Sequence, residues 1–90
     1  MAYIAAVHEI RDPDRFWGGQ LDLPEGVQLH SIWPRGDRTR AVCLWEADTT
    51  DDVRKVLDSQ VGDASVNELF EIDSANPAMM GLPASAGATA

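Results

Sequence analysis

Residues Ala2 to Ile10 alternate with a period of two, placing Tyr3, Ala5 and Val7 on one face and Ile4, Ala6, His8 and Ile10 on the other. Both faces are largely apolar, as suits a strand in the middle of a sheet. Asp12 followed by Pro13 offers an N-cap and a proline at the first helical position, where the missing N–H costs nothing. The short helix that starts there is expected to bury Phe16 and Trp17, and Gly18 and Gly19 end it. Leu23-Pro24-Glu25-Gly26 reads as a turn. Beyond it Val27, Leu29, Ser31 and Trp33 alternate with Gln28, His30 and Ile32 in a second strand. Pro34-Arg35-Gly36-Asp37 is the next turn, and Arg40 to Ala47 pairs back as the third strand of a hairpin.

Thr49, Thr50, Asp51 and Asp52 combine capping chemistry with acids that complement a helix dipole, so a second helix is expected here. Val53, Val56, Leu57 and Val61 follow at helical spacing and form one apolar stripe, and Gly62 stops it. Val66 to Asp73 reads as the fourth strand. The pattern predicts an α+β domain of ferredoxin-like βαββαβ order over residues 1–74: a four-stranded antiparallel sheet with two helices on one face. A tail over 75–90 follows, in which Met79, Met80 and Leu82 are apolar enough to dock on a partner subunit or on the edge of their own domain. The low-complexity stretch 84–90 is expected to be disordered.

With helices on one side only, the other sheet face needs a cover, because soluble monomers rarely tolerate an apolar patch of several hundred Å². A two-fold homodimer stacking sheet on sheet supplies it, the arrangement of a dimeric α/β barrel, and leaves a cavity beside the sheet.

Ninety residues hold one core, and 44% apolar with 24% charged residues is an ordinary globular composition. Fifteen acidic against seven basic residues give a net charge of −8, which repels a phosphate backbone and argues against nucleic acid as a partner. One cysteine, no apolar run of membrane-spanning length and no leader pattern point to a cytoplasmic protein without a membrane role.

Candidate chemistry lies on the strands. Taking the face of mixed polarity in each groups His8 with Ile4 and Ala6, His30 with Ile32, Glu46 with Val42 and Leu44, and Glu68 with Phe70. If they converge, His8, His30, Glu46 and Glu68 are the donor types for a divalent metal such as nickel or zinc, and equally for a general acid/base pair. Trp33 and Trp45, with Cys43 between Val42 and Leu44, are candidates to wall a pocket for a flat ligand. Against this, each histidine is as readily a hydrogen-bonded strand residue, and Cys43 a buried, inert thiol. No phosphate-binding glycine loop, nucleophile elbow or triad stands in the chain.

The block from Leu29 to Leu57, continuing through Asn67 to Asp73, resembles the centre of a family of small ferredoxin-like proteins with nickel-binding members. His30, Ser31, Cys43, Trp45, Glu46 and Ala47 are the positions that carry the likeness. More broadly, the chain is similar to the dimeric α/β-barrel superfamily, which also holds cofactor-independent monooxygenases. The short first helix and the Met79–Pro83 segment depart from both patterns. The resemblance implies the fold and a homodimer, and beyond these metal binding or catalysis. Three functions remain in view: a binding protein for a divalent metal or small ligand, a cofactor-independent monooxygenase or isomerase, and a structural or regulatory dimer without a ligand.

Overall fold

Strand β1 (Ala2–Ile10) is one of the two inner strands of the sheet, pairing antiparallel with β3 (Arg40–Ala47) on one side and β4 (Ser65–Glu71) on the other. The computed structural model describes residues 1–83, and in it β2 (Gln28–Pro34) flanks β3, giving the order β2-β3-β1-β4. Helix α1 (Pro13–Gly18) links β1 to β2, and α2 (Thr50–Val61) links β3 to β4. This α+β architecture, an open antiparallel sheet with two helices, is compatible with the ferredoxin-like pattern expected from the sequence. The stretch 84–90 lies outside the described residues.

Helix α2 begins where its capping chemistry predicts. The Thr49 hydroxyl accepts from the Asp52 N–H at 3.2 Å, and the Asp52 carboxylate accepts from the Thr49 N–H at 3.2 Å, so two otherwise orphaned donors are satisfied reciprocally. Val53, Val56 and Leu57 are buried from this helix against Ile4, Ala6, Cys43, Trp45 and Ala47 from the sheet, with Val27 at the edge of the cluster. Gly62 follows in close quarters, since a Cβ there would sit 2.6 Å from the Asp58 carbonyl oxygen.

Helix α1 has six residues, capped by the Asp12 carboxylate accepting from the Arg15 N–H at 3.2 Å. It is too short to seal its own apolar residues: Phe16 and Trp17, expected to be buried, are only half-buried. An irregular segment runs from Gly19 to Val27, ending in a type II turn. There the Val27 N–H donates to the Pro24 carbonyl at 3.2 Å, and Gly26 takes φ 87°, a left-handed value that favours glycine. Gln60 of α2 holds this segment, donating to the Asp22 carbonyl at 2.5 Å and accepting from the Asp22 N–H at 3.3 Å.

Register decides which residues share a face. His8 lies opposite Ala41 and Asn67, Ala6 opposite Cys43 and Leu69, and Ile4 opposite Trp45. All of these point toward the helices. The other face carries Tyr3, Ala5 and Val7 of β1, Val42, Leu44 and Glu46 of β3, and Val66, Glu68 and Phe70 of β4. In β2 a bulge between Leu29 and Ser31 breaks the alternation, so Leu29 and Ile32 both face the helices.

No helix covers the second face among the described residues, and Trp33, Val66 and Phe70 remain exposed on it. Among the described residues, the chain beyond β4 returns to this face where the Tyr3 hydroxyl donates to the Pro83 carbonyl at 3.0 Å. Met79 and Leu82 are half-buried in that segment, whereas Met80 is open to solvent. Among the described residues, no helix is long and apolar enough to cross a membrane.

Candidate functional site

The short α1 and the irregular segment after it leave part of the sheet's helix side unfilled. A cavity of about 170 Å³ opens there. Its floor is His8 of β1, Leu29 and Ile32 of β2 and Cys43 and Trp45 of β3; Phe16 and Trp17 of α1 wall one side and Val56, Leu57 and Val61 of α2 the other. Gly19, Gln20, Leu21 and Gln60 complete the lining. The lining is therefore overwhelmingly apolar, with a few polar atoms set into it.

Two of the lining residues hold buried nitrogens. His8 and Trp45 are 1% and 2% exposed, and neither His8 Nε2 nor Trp45 Nε1 has a hydrogen-bond partner. A buried polar group left without a partner costs about 1–3 kcal/mol, and native structures keep few of them. Both residues line the cavity, and the two nitrogens are themselves closed off from solvent.

The state of His8 follows from its other nitrogen. Nδ1 lies 2.6 Å from the Asn67 side-chain oxygen, which also accepts from the Ser65 hydroxyl at 2.8 Å. An amide oxygen only accepts, so the proton of the neutral ring sits on Nδ1 and Nε2 presents a lone pair. Burial pushes the His8 pKa below its ordinary value, outweighing the Asn67 bond that favours the charged ring, so the neutral form holds at neutral pH. Trp45 Nε1 is by contrast a donor only. Two buried nitrogens, one an acceptor and one a donor, thus belong to residues that line an apolar cavity.

The residues expected to act together divide between the two sides of the sheet. His30 and Glu46 do meet, His30 Nε2 lying 2.9 Å from Glu46 Oε1, with the Tyr3 ring tilted against His30 at a centroid distance of 5.7 Å. They stand on the face away from the helices. Glu68 is on that face too, on β4 beyond β1, and is exposed. His8 is on the opposite face, so the four expected metal ligands do not converge. The cause is the parity of β1: Ile4, Ala6 and Ile10 are buried against the helices, and His8 shares their phase. The expected pairing of His30 with Ile32 fails for a second reason, the bulge that sends them to different faces. Among the described residues, no three His, Cys, Asp or Glu side chains are placed to hold a metal ion. Within the described chain His8 therefore stands apart from His30, Glu46 and Glu68.

The expected pocket residues divide as well. Trp45 and Cys43 line the cavity, while Trp33 is 61% exposed on the far face. Burial pushes the Cys43 thiol up to about 12, so it is a thiol and not a thiolate at neutral pH. Asn67 and Ser65, which orient His8, were not among the candidates. Their signal in the sequence was two polar residues in the same phase as Leu69, on the strand face that packs toward the helices.

Comparison with protein-family models finds no match to this chain, and neither do comparisons with curated proteins and with solved structures.

Proposed function

We propose that this protein binds a small, predominantly apolar molecule in the cavity between the sheet and the helices. The observation that carries the reading is the apolar cavity itself, floored in part by His8 and Trp45 and walled by Phe16 and Trp17. Pockets for small ligands have this character: hydrocarbon walls supply affinity and a few placed polar groups fix orientation. A small organic molecule fits better than a divalent metal, because His8 is the cavity's only histidine and no carboxylate lines it.

The test is a fragment screen observed through the indole N–H resonances of the three tryptophans. Binding in the cavity shifts the Trp45 resonance, identified by its loss in Trp45→Phe, and leaves exposed Trp33 unchanged. A screen in which no compound moves Trp45 removes the reading.

A second reading, a cofactor-independent isomerase or monooxygenase, draws on the lone pair of His8 Nε2, whose ring is oriented by Asn67 in the manner of a general base.

Homodimerisation belongs to the same proposal, completing a dimeric α/β barrel. The exposed Trp33, Val66 and Phe70 on the uncovered face support it, since large aromatic and aliphatic groups at a solvent face suit the centre of an interface between copies. Sedimentation velocity over a micromolar dilution series tests it. Replacing Trp33 and Phe70 by Asp should convert dimer to monomer; a wild-type chain that sediments as a folded monomer throughout refutes it.

A further inference from the structure

The cavity meets solvent along one side. Of the residues that line it, Gly19, Gln20 and Leu21 are exposed, and Leu21 keeps 42% of its surface open to water. His8, Cys43 and Trp45 of the floor and Val56 and Leu57 of α2 are buried. Ile32 is the exposed residue of the floor, at 44%, and it stands on the edge strand β2. The mouth therefore lies where residues 19–21 face the sheet edge, and whatever enters must pass the irregular segment.

That segment is held lightly. Among the described residues, no backbone hydrogen bond joins residues 19–26 to the sheet or to α2, and the bond from the Val27 N–H to the Pro24 carbonyl only closes its final turn. The Gln60 side chain supplies the tie instead, Nε2 donating to the Asp22 carbonyl and Oε1 accepting from the Asp22 N–H. Gln60 and Val56 line the cavity and also an open, polar groove of about 470 Å³ walled by Asp22, Glu25, Asp48 and Asp52. The two Asp22–Gln60 bonds thus stand at the partition between a polar approach and an apolar interior. At the α1 end of the segment, Gly18 and Gly19 leave the backbone free to turn, with no neighbouring atom closer than 3.9 Å to where a Cβ would sit.

Resting on the binding function proposed above, we infer that residues 19–26 are a lid over the cavity, latched by the two bonds between Gln60 and Asp22 and hinged at Gly18 and Gly19. Releasing the latch joins the groove to the cavity and admits the ligand. The motion breaks bonds at one side chain and dismantles no ladder of the sheet, so it is a local opening far easier than unfolding. The floor and the α2 wall stay in place while it happens, because Cys43, Trp45, Val56 and Leu57 belong to the buried core.

Cys43 lies on the cavity floor and is the chain's one cysteine, so its labelling by the small uncharged reagent methyl methanethiosulfonate reports the opening without any ligand. Rates are measured by mass spectrometry on the full chain, at urea concentrations below the unfolding transition. Gln60→Ala should label about tenfold faster than wild type, the loss of two solvent-facing hydrogen bonds being of that size. Neither rate should change with urea, because a local opening exposes little surface. The double variant Gly18→Ala/Gly19→Ala keeps the latch and should label about fivefold more slowly, since alanine gains fewer conformations in the open state. Equal rates in wild type and Gln60→Ala overturn the lid, as does a Gln60→Ala rate that climbs with urea in step with global unfolding. A glycine variant that labels as fast as wild type overturns the hinge. Failure of the binding function looks different: no compound in the fragment screen moves Trp45, whatever the labelling rates of Cys43.

Discussion

Replacing His8 by Leu should make the unliganded protein more stable. A buried histidine in a strand is ordinarily part of what holds a core together, but here only one of its ring nitrogens is bonded. Leucine, of similar volume, removes the unpartnered Nε2, which is worth about 1–3 kcal/mol, and forfeits the Nδ1 bond to Asn67, worth about 0.5–1.5 kcal/mol. Asn67 keeps its bond from Ser65, so no acceptor is stranded. The balance is a gain of about 1 kcal/mol, or roughly 4–8 °C in Tm for a domain of this size. The gain should grow in acid. Because burial lowers the folded pKa of His8, the unfolded chain takes up a proton as pH falls through 6.5 while the folded chain does not. Wild-type stability therefore declines from pH 6.5 down toward the lowered pKa, by at most about 1.4 kcal/mol per pH unit from this group. The carboxylates titrate in both proteins, so the difference between wild type and His8→Leu isolates the histidine. Urea denaturation at pH 7.5 and pH 5.5 measures both effects. A loss of about 2 kcal/mol or more at pH 7.5, with no widening at pH 5.5, would show that Nε2 is fully satisfied in the free protein and would refute the reasoning.

Asn67→Leu should act in the opposite direction, costing about 1–3 kcal/mol by stranding the His8 Nδ1–H, and the double variant with His8→Leu should recover most of that loss in a double-mutant cycle. Cys43, raised to about 12, has a thiolate fraction of only about one in ten thousand at pH 8; iodoacetamide should leave it intact in the folded protein and modify it within minutes in urea, as mass spectrometry would report. Arg38 has φ 67° in the turn between β2 and β3, a conformation that costs a side chain about 1 kcal/mol or more, while its contacts to Asp14 and Pro13 are exposed and long, at 3.3–3.5 Å. Arg38→Gly should therefore be neutral or stabilising by up to about 1 kcal/mol, and a loss of that size in thermal melting would show that those contacts matter.

How much of this could be read from the chain differs between the fold and the site. Strands β1 and β3 run over the residues their alternation indicates, and α2 starts at its capping box and ends beside Gly62, because each rests on interactions within a few residues. The short α1 and its glycine end were legible too, yet the consequence of that shortness was not. Phe16 and Trp17 are left half-buried against an open cavity because nothing further along the described residues fills the space.

The amino-acid sequence alone determined the six elements, their order and the apolar composition of both sheet faces, since period, caps and turn residues act locally. Tertiary structure decided which face each strand presents. His8 and Glu46 each sit in an alternating strand, yet packing of Ile4, Ala6 and Ile10 under the helices turned His8 inward, and the bulge in β2 set His30 beside Glu46 on the other side. A period of two gives two equivalent phases, and only contact between elements distant in the chain chooses one. The same contacts brought His8 and Trp45 to one cavity, and with them the function proposed for this protein.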